Sequence, residues 1–214
     1  QDYSEKLINA HRSLINMNYK ALFYTALIDP LLKGLRRSVM ENIDTSAKVI
    51  DVACGPGTLA LEMSKKAGQI TGIDLDEFLI SFATSKANKK GLLNLDFKVL
   101  DASDLSGFRS DEFDIAVTSM AVHQFPEELA VKILHEMRRI SRKVIIADYN
   151  CPMPRSISRS LAYGIERIAK GEHHRNFRNF MSRGGISWFA RAVGLTIRSA
   201  ATRGKGVFLI TVCY

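Results

Sequence analysis

The sequence predicts an α/β domain with a doubly wound, mainly parallel sheet that ends in an antiparallel hairpin. Three observations support this fold class. Short apolar, β-branched runs alternate with segments of helix-forming composition between residues 49 and 149. A glycine turn at 55–57 joins the first predicted strand to a helix. Near the end of the chain, residues 195–203 and 207–213 read as strands on either side of Gly204-Lys205-Gly206.

Composition indicates an ordinary globular chain of one domain. The 214 residues are 46% hydrophobic and 24% charged, and the length suffices for one α/β core. No apolar run approaches the roughly 18 residues of a membrane span, and no signal peptide is recognisable, so we expect a cytoplasmic protein. Cys54, Cys151 and Cys213 lack metal-type spacing, and we expect neither a disulfide framework nor a zinc site from them.

The positive charge is concentrated in the last third of the chain. The net charge is +8, and residues 151–214 hold 11 Lys and Arg against only Glu166 and Glu172. An anionic substrate, an anionic lipid surface or nucleic acid would suit this distribution, and so would a merely solubilising basic face.

The glycine turn is the strongest sign of a ligand. Gly55 and Gly57 follow the run Val49–Val52, and glycine permits both a sharp turn and close approach of a ligand to the backbone. The spacing to Ala60 also satisfies the dinucleotide fingerprint. Asp51 decides between the alternatives, because its carboxylate would repel a pyrophosphate but would attract a cationic ligand.

This segment resembles motif I of the class I S-adenosylmethionine-dependent methyltransferases, an acidic residue followed by a small-x-Gly-x-Gly turn. Ala53 stands where many members carry a glycine. The resemblance implies a seven-stranded, Rossmann-like fold and S-adenosylmethionine as the cofactor. It also implies that the cofactor is bound by Asp51, Ala53, Cys54, Gly55, Pro56, Gly57 and Thr58.

The next two strand ends each carry an acidic residue. Asp74 lies about 20 residues beyond the glycine turn, where a carboxylate accepts hydrogen bonds from ribose hydroxyls, and Leu75 follows it. The third predicted strand, 94–100, ends at Asp101. By resemblance, Asp101 would bind the adenine amine and the Ala102 N–H a ring nitrogen, although Asp104 is close enough to compete for the role.

The fourth strand leads into a turn that resembles motif IV of small-molecule methyltransferases. Ser119 and Met120 would lie beneath the sulfonium of the cofactor, and His123 follows within the turn. His123 has the ordinary pKa of a general base at neutral pH and could equally contact substrate or be structural. The segment lacks the Asn/Asp-Pro-Pro-aromatic signature of many amino-group methyltransferases, which disfavours exocyclic amines of nucleic acid as acceptors.

We divide the single domain 1–214 into four parts. Residues 1–44 form a helical N-terminal segment, 45–150 the cofactor-binding core, 151–184 a substrate-side insertion, and 185–214 the last helix and hairpin. In the core we expect a helix from Pro126 to about Arg142, followed by a strand from Lys143 to Tyr149.

Substrate contacts are expected from the N-terminal segment, the fifth strand end and the insertion. The candidates are Tyr19, Tyr24, Tyr149, His173, His174, Arg175 and Arg178. The adjacent histidines lack a third ligand at suitable spacing, so we predict no metal site.

Together these features favour methyl transfer to a small or lipid-like, anionic acceptor by a monomer or homodimer. Three alternatives stay open. An RNA methyltransferase would use the basic last third, a non-catalytic module would bind the cofactor without turnover, and an NAD-dependent oxidoreductase would bind nicotinamide. Asp51 argues against the last of these.

Overall fold

The computed structural model describes residues 32–169 and 171–214, and its centre is a seven-stranded sheet of order β3-β2-β1-β4-β5-β7-β6. The strands are β1 Lys48–Val52, β2 Gln69–Asp74, β3 Leu95–Val99, β4 Phe113–Ser119, β5 Ser141–Tyr149, β6 Ile197–Arg203 and β7 Phe208–Cys213. The first five strands pair in parallel, and β7 runs antiparallel to both of its neighbours, β5 and β6. The predicted fold class and the closing hairpin are confirmed.

Helices lie between most successive strands and cover the sheet, whereas β3 leads to β4 and β6 leads to β7 without a helix. The α-helices are α1 Lys33–Glu41, α2 Thr58–Met63, α3 Glu77–Lys89, α4 Glu127–Ile140, α5 Ile157–Ala169, α6 Gly171–Arg183 and α7 Ile186–Ala192, and a 3₁₀ turn covers Val122–Gln124. The central strands are buried on both faces, and the interior of β1 and β4 is almost wholly apolar. Strand order reverses between β1 and β4, and in open α/β sheets that switch point is where ligands bind.

Two expected boundaries in the core were wrong. The helix before the fifth strand ends at Ile140, and the strand begins at Ser141, so Arg142 lies on β5 and not in the last helical turn. Ser141 explains the direct junction: its buried hydroxyl donates to the carbonyl of Met137 and caps the helix end while its backbone pairs with Phe113.

The polar stretch after residue 170 forms helix α6, which was not predicted from the sequence. Its buried side chains include Phe177 and Phe180, which anchor it on the core. At the start of the chain, α1 lies within the helical segment predicted for residues 1–44, whereas residues 1–31, with Tyr19 and Tyr24, lie outside the described residues. Within the described ranges no helix is both long and apolar enough to span a membrane.

Candidate functional site

A cavity of about 440 Å³ opens at the switch point between β1 and β4. This volume is within the usual range of small-molecule sites. Its walls come from the ends of β1, β2 and β4, from the beginnings of the helices that follow, and from α1. The lining residues are Leu32, Arg36, Asp51, Ala53, Cys54, Gly55, Pro56, Thr58, Leu59, Asp74, Asp76, Phe78, Leu79, Ser119, Met120, Ala121, Gln124 and Phe125.

The glycine turn forms one wall through a run of left-handed backbone. Ala53, Gly55 and Gly57 have φ angles of 56°, 52° and 70°. The carboxylate of Asp74 fixes the turn by accepting the Gly55 N–H at 2.8 Å, and a Cβ at Gly55 would meet open space. The backbone of Gly55 is therefore held open toward the cavity, as a cofactor cradle requires.

Gly57 and Gly72 allow close packing behind this wall of the cavity. A Cβ on Gly57 would approach a ring carbon of Phe97 to 2.6 Å and the Ala83 side chain to 2.8 Å. A Cβ on Gly72 would approach Phe97 to 2.5 Å. The ring of Phe97 on β3 thus packs against both glycines and requires that neither carry a side chain.

Asp51 is the buried acid beneath the turn. Only 1% of its surface is exposed, and its Oδ2 atom has no hydrogen-bond partner within the described structure. Burial, followed by repulsion from Asp74, raises the pKa of Asp51 to about 8. A cationic group in the cavity would pair with Oδ2 of Asp51 and would offset the burial and the repulsion that raise its pKa. The site therefore fits a cofactor that carries an ammonium.

The carboxylate of Asp74 lies at the end of β2, as predicted, and accepts two backbone N–H groups. Its second oxygen accepts the N–H of Asp76 at 2.9 Å. Asp76 caps α3 by accepting the backbone N–H groups of Phe78 and Leu79. Asp76, Phe78 and Leu79 all line the cavity. These residues were not predicted from the sequence, although they stand at the start of the helix that follows Asp74.

Four predicted cofactor residues do not line the cavity, and one of them is Gly57, which packs against Phe97 behind the wall. Leu75 is 66% exposed. Asp101 is exposed and accepts the N–H of Ser103, while Ala102 beside it is buried. Their assignment to the cofactor stays a prediction.

The turn after β4 supplies the opposite wall. Ser119 and Met120 line the cavity, and Met120 has a left-handed φ of 57°. Gln124, from the 3₁₀ turn, donates to the carbonyl of Met120 at 2.6 Å and holds the turn closed. Gln124 and Phe125 line the cavity as well and were not foreseen.

His123 belongs to a buried polar cluster behind this wall and does not line the cavity. Its Nδ1 lies 2.6 Å from Oδ1 of Asp148, and its Nε2 lies 3.6 Å from Oε1 of Glu166. Burial alone would lower the pKa of His123, but the adjacent Asp148 and Glu166 carboxylates outweigh it and raise the pKa above its ordinary value. The general-base role of His123 stays a prediction.

Two further candidates join the same cluster. Tyr149 donates its hydroxyl to Glu166 at 2.8 Å, and Nε2 of His173 lies 2.6 Å from the other Glu166 oxygen. Tyr149 is buried, whereas His173 is half-buried. The structure thus brings together three candidates that are far apart in sequence.

The remaining candidates from the insertion lie on α6. His174 stacks on Phe177, whereas Arg175 and Arg178 are exposed, and Arg175 pairs with Glu172. None of the three lines the cavity. The helix adjoins the cavity wall nonetheless, because Asn176 donates to the carbonyl of Gln124 at 2.7 Å.

Comparison with known proteins finds similar sequences for the part of the chain that forms this site. The family model described as "Methyltransferase domain" matches residues 49–144, which include β1 to β4 and the glycine turn. A ubiquinone biosynthesis O-methyltransferase of Xanthomonas axonopodis pv. citri is 25% identical over 160 residues, covering 72% of this chain and 65% of the relative. The chain therefore spans just under two thirds of the length of that curated relative.

Solved structures share the fold. The PH0226 protein of Pyrococcus horikoshii OT3 superposes with a TM-score of 0.69 at 20% identity, over 88% of this chain and 91% of that chain. The magnesium protoporphyrin IX methyltransferase of Synechocystis PCC 6803, solved with bound S-adenosylhomocysteine, has a TM-score of 0.59 at 16% identity, over 84% of this chain and 81% of that chain.

Proposed function

We propose that the chain is a class I S-adenosylmethionine-dependent methyltransferase that transfers a methyl group from this cofactor to a small or lipid-like, anionic acceptor. The match of residues 49–144 to the methyltransferase domain supports the proposal. The observation that carries the proposal is the buried oxygen of Asp51, which has no hydrogen-bond partner among residues 32–169 and 171–214 and lies in a cavity formed by the glycine turn. A cationic cofactor suits that oxygen, whereas a pyrophosphate would be repelled by it.

Different cavity residues would bind different parts of the cofactor. Asp51 would bind the ammonium of the methionine part, and the free acceptor capacity of Asp74 would take the ribose hydroxyls. Phe78 and Leu79 offer the apolar surface for adenine. As the resemblance implies, Asp101 would bind the adenine amine and the Ala102 N–H a ring nitrogen.

The bound cofactor supplies the activated methyl group. The chain's own task is to align the acceptor with that group and exclude water. Ser119 and Met120 define the wall on which the reacting groups would meet, and Gln124 fixes its shape through the Met120 carbonyl.

Helices α5 and α6 favour a lipid-like, anionic acceptor. Ile157, Leu161 and Ile168 share one face of α5 and are 90%, 55% and 78% exposed. Arg175 and Arg178 are exposed on α6, the helix that contacts the cavity wall. An acceptor with an apolar body and an acidic group would match both surfaces, and the name of the Xanthomonas relative, a ubiquinone biosynthesis O-methyltransferase, is compatible with such a molecule.

Methyl transfer from labelled S-adenosylmethionine to a panel of hydroxyaromatic acids, their neutral esters and RNA would test the proposal. We expect label in an acidic small molecule, with KM raised several-fold by Arg178→Ala for the acid but not for its ester. Arg191→Ala, an exposed arginine on α7, is the matched control. Label in RNA alone, or cofactor binding with no acceptor methylated, would contradict the proposal.

A further inference from the structure

The polar cluster behind the cavity contains a group of side chains with the donor atoms of a metal site. One ligand atom each from His123, Glu166 and His173 lies within 4.8 Å of the other two. The three residues come from the 3₁₀ turn, α5 and α6, so no spacing along the chain could reveal them. The prediction of no metal relied on the lack of a third ligand near His173, and the fold supplies two.

Outer contacts orient these atoms toward one point. Asp148 is fully buried, and its carboxylate accepts the backbone N–H groups of His123 and Tyr149. It is therefore an acceptor for the Nδ1–H of His123, which leaves Nε2 of that ring facing Glu166 and His173. Tyr149 likewise donates to one oxygen of Glu166 and restrains that carboxylate. Ligating histidines and carboxylates in metalloproteins are held by outer partners of this kind.

The charges of the cluster are compatible with a bound dication. Asp148 and Glu166 are both buried, and the surroundings include the edges of the Phe177 and Phe180 rings. With neutral imidazoles the cluster would hold two uncompensated negative charges, which is costly in such a place. One dication restores neutrality, and two protons on the imidazoles would do the same.

We propose that His123, Glu166 and His173 bind one Zn²⁺ ion and thereby clamp α5 and α6 to the core. Two imidazole nitrogens and one carboxylate oxygen are a common zinc donor set, with a fourth position left for water. The half-buried His173 provides the way in from solvent. The site is separate from the cofactor cavity and does not depend on the proposed methyl transfer.

Zinc titration of the untagged, chelator-treated chain against a fluorescent chelator tests the site. We expect one equivalent bound, with affinity lowered by at least about 100-fold in His173→Ala and in the nearly isosteric Glu166→Gln. Asp148→Asn, which alters only an outer partner, should cost about 10–100-fold. His135→Ala removes an exposed histidine on α4 and should leave zinc affinity unchanged.

Three results would overturn the proposal: no stoichiometric binding, equal affinity in the wild type and His173→Ala, or an equal loss in His135→Ala.

A second measurement needs only the folded wild type. Co²⁺ bound at this site should show the visible absorption of a four- or five-coordinate ion, and the weak bands of hydrated Co²⁺ alone would also refute the site.

Discussion

Asp51 links the stability of the cofactor-free protein to pH. Its pKa is raised to about 8 in the folded chain, so the unfolded chain loses this proton at much lower pH than the folded chain does. The folded state then binds more protons, and this residue's contribution to stability falls as the pH rises from about 4 toward 8. Burial of Asp51 therefore lowers the stability of the cofactor-free protein as the pH approaches 8, and a bound cationic ligand would offset this loss.

We therefore expect Asp51→Asn to raise the melting temperature of the cofactor-free protein at pH 8 and to bind the cofactor more weakly. Thermal unfolding from pH 5 to pH 8 isolates the effect, because other titrating groups are common to both proteins. The difference in melting temperature should widen with pH. A constant or shrinking difference would show that Asp51 is charged throughout.

Ala53 is strained by the same turn. Its φ of 56° lies in the left-handed region, which costs a residue with a Cβ about 1 kcal/mol. We expect Ala53→Gly to stabilise the protein by up to about 1 kcal/mol, less the entropy that glycine adds to the unfolded chain. Ala60→Gly in the buried part of α2 is the control and should destabilise by about 1 kcal/mol. Equal losses in urea unfolding of the two variants would contradict the account.

At the scale of elements, β3 supports the glycine turn through Phe97. Gly57→Ala would drive a methyl group into the Phe97 ring and the Ala83 side chain, at a backbone φ of 70° that disfavours alanine. We expect a loss of about 2 kcal/mol or more in unfolding free energy, together with weaker cofactor binding. Calorimetric unfolding and cofactor titration measure the two effects.

Gly164→Ala provides the control for that substitution. Gly164 lies inside α5 at an ordinary φ, with nothing within 4 Å of an added Cβ. Alanine there should stabilise the helix by about 1 kcal/mol. If Gly57→Ala behaved like Gly164→Ala, the close packing around the turn would have no energetic importance.

Strand ends were predictable because each is marked locally. Asp51, Asp74 and Ser119 end apolar runs, and a parallel sheet brings such ends to one edge. The boundary between α4 and β5 was harder to predict, because Ser141 both caps the helix and pairs in the strand. Helix α6 was missed because its sequence is mostly polar, and its stability comes from Phe177 and Phe180 packing on the core.

At the scale of the whole molecule, the cavity wall that lies within one stretch of chain could be predicted from the sequence. Contacts between elements that are far apart in the chain could not. The glycine turn and Asp74 were found by spacing. The grouping of His123, Glu166 and His173 depends on how α5 and α6 pack on the core, which no local pattern encodes. For the same reason the position of His123 behind the cavity wall could not be predicted, and the sequence left its role open between general base, substrate contact and structural residue.

The central claim is that the cavity binds S-adenosylmethionine and not a dinucleotide. Isothermal titration with S-adenosylhomocysteine and, in parallel, NADH tests it directly, using Asp74→Ala and the exposed Asp96→Ala on β3 as variant and control. The account predicts micromolar binding of S-adenosylhomocysteine, lost in Asp74→Ala and retained in Asp96→Ala, with no binding of NADH. Binding of NADH in its place would contradict the electrostatic role assigned to Asp51, and the proposed function with it.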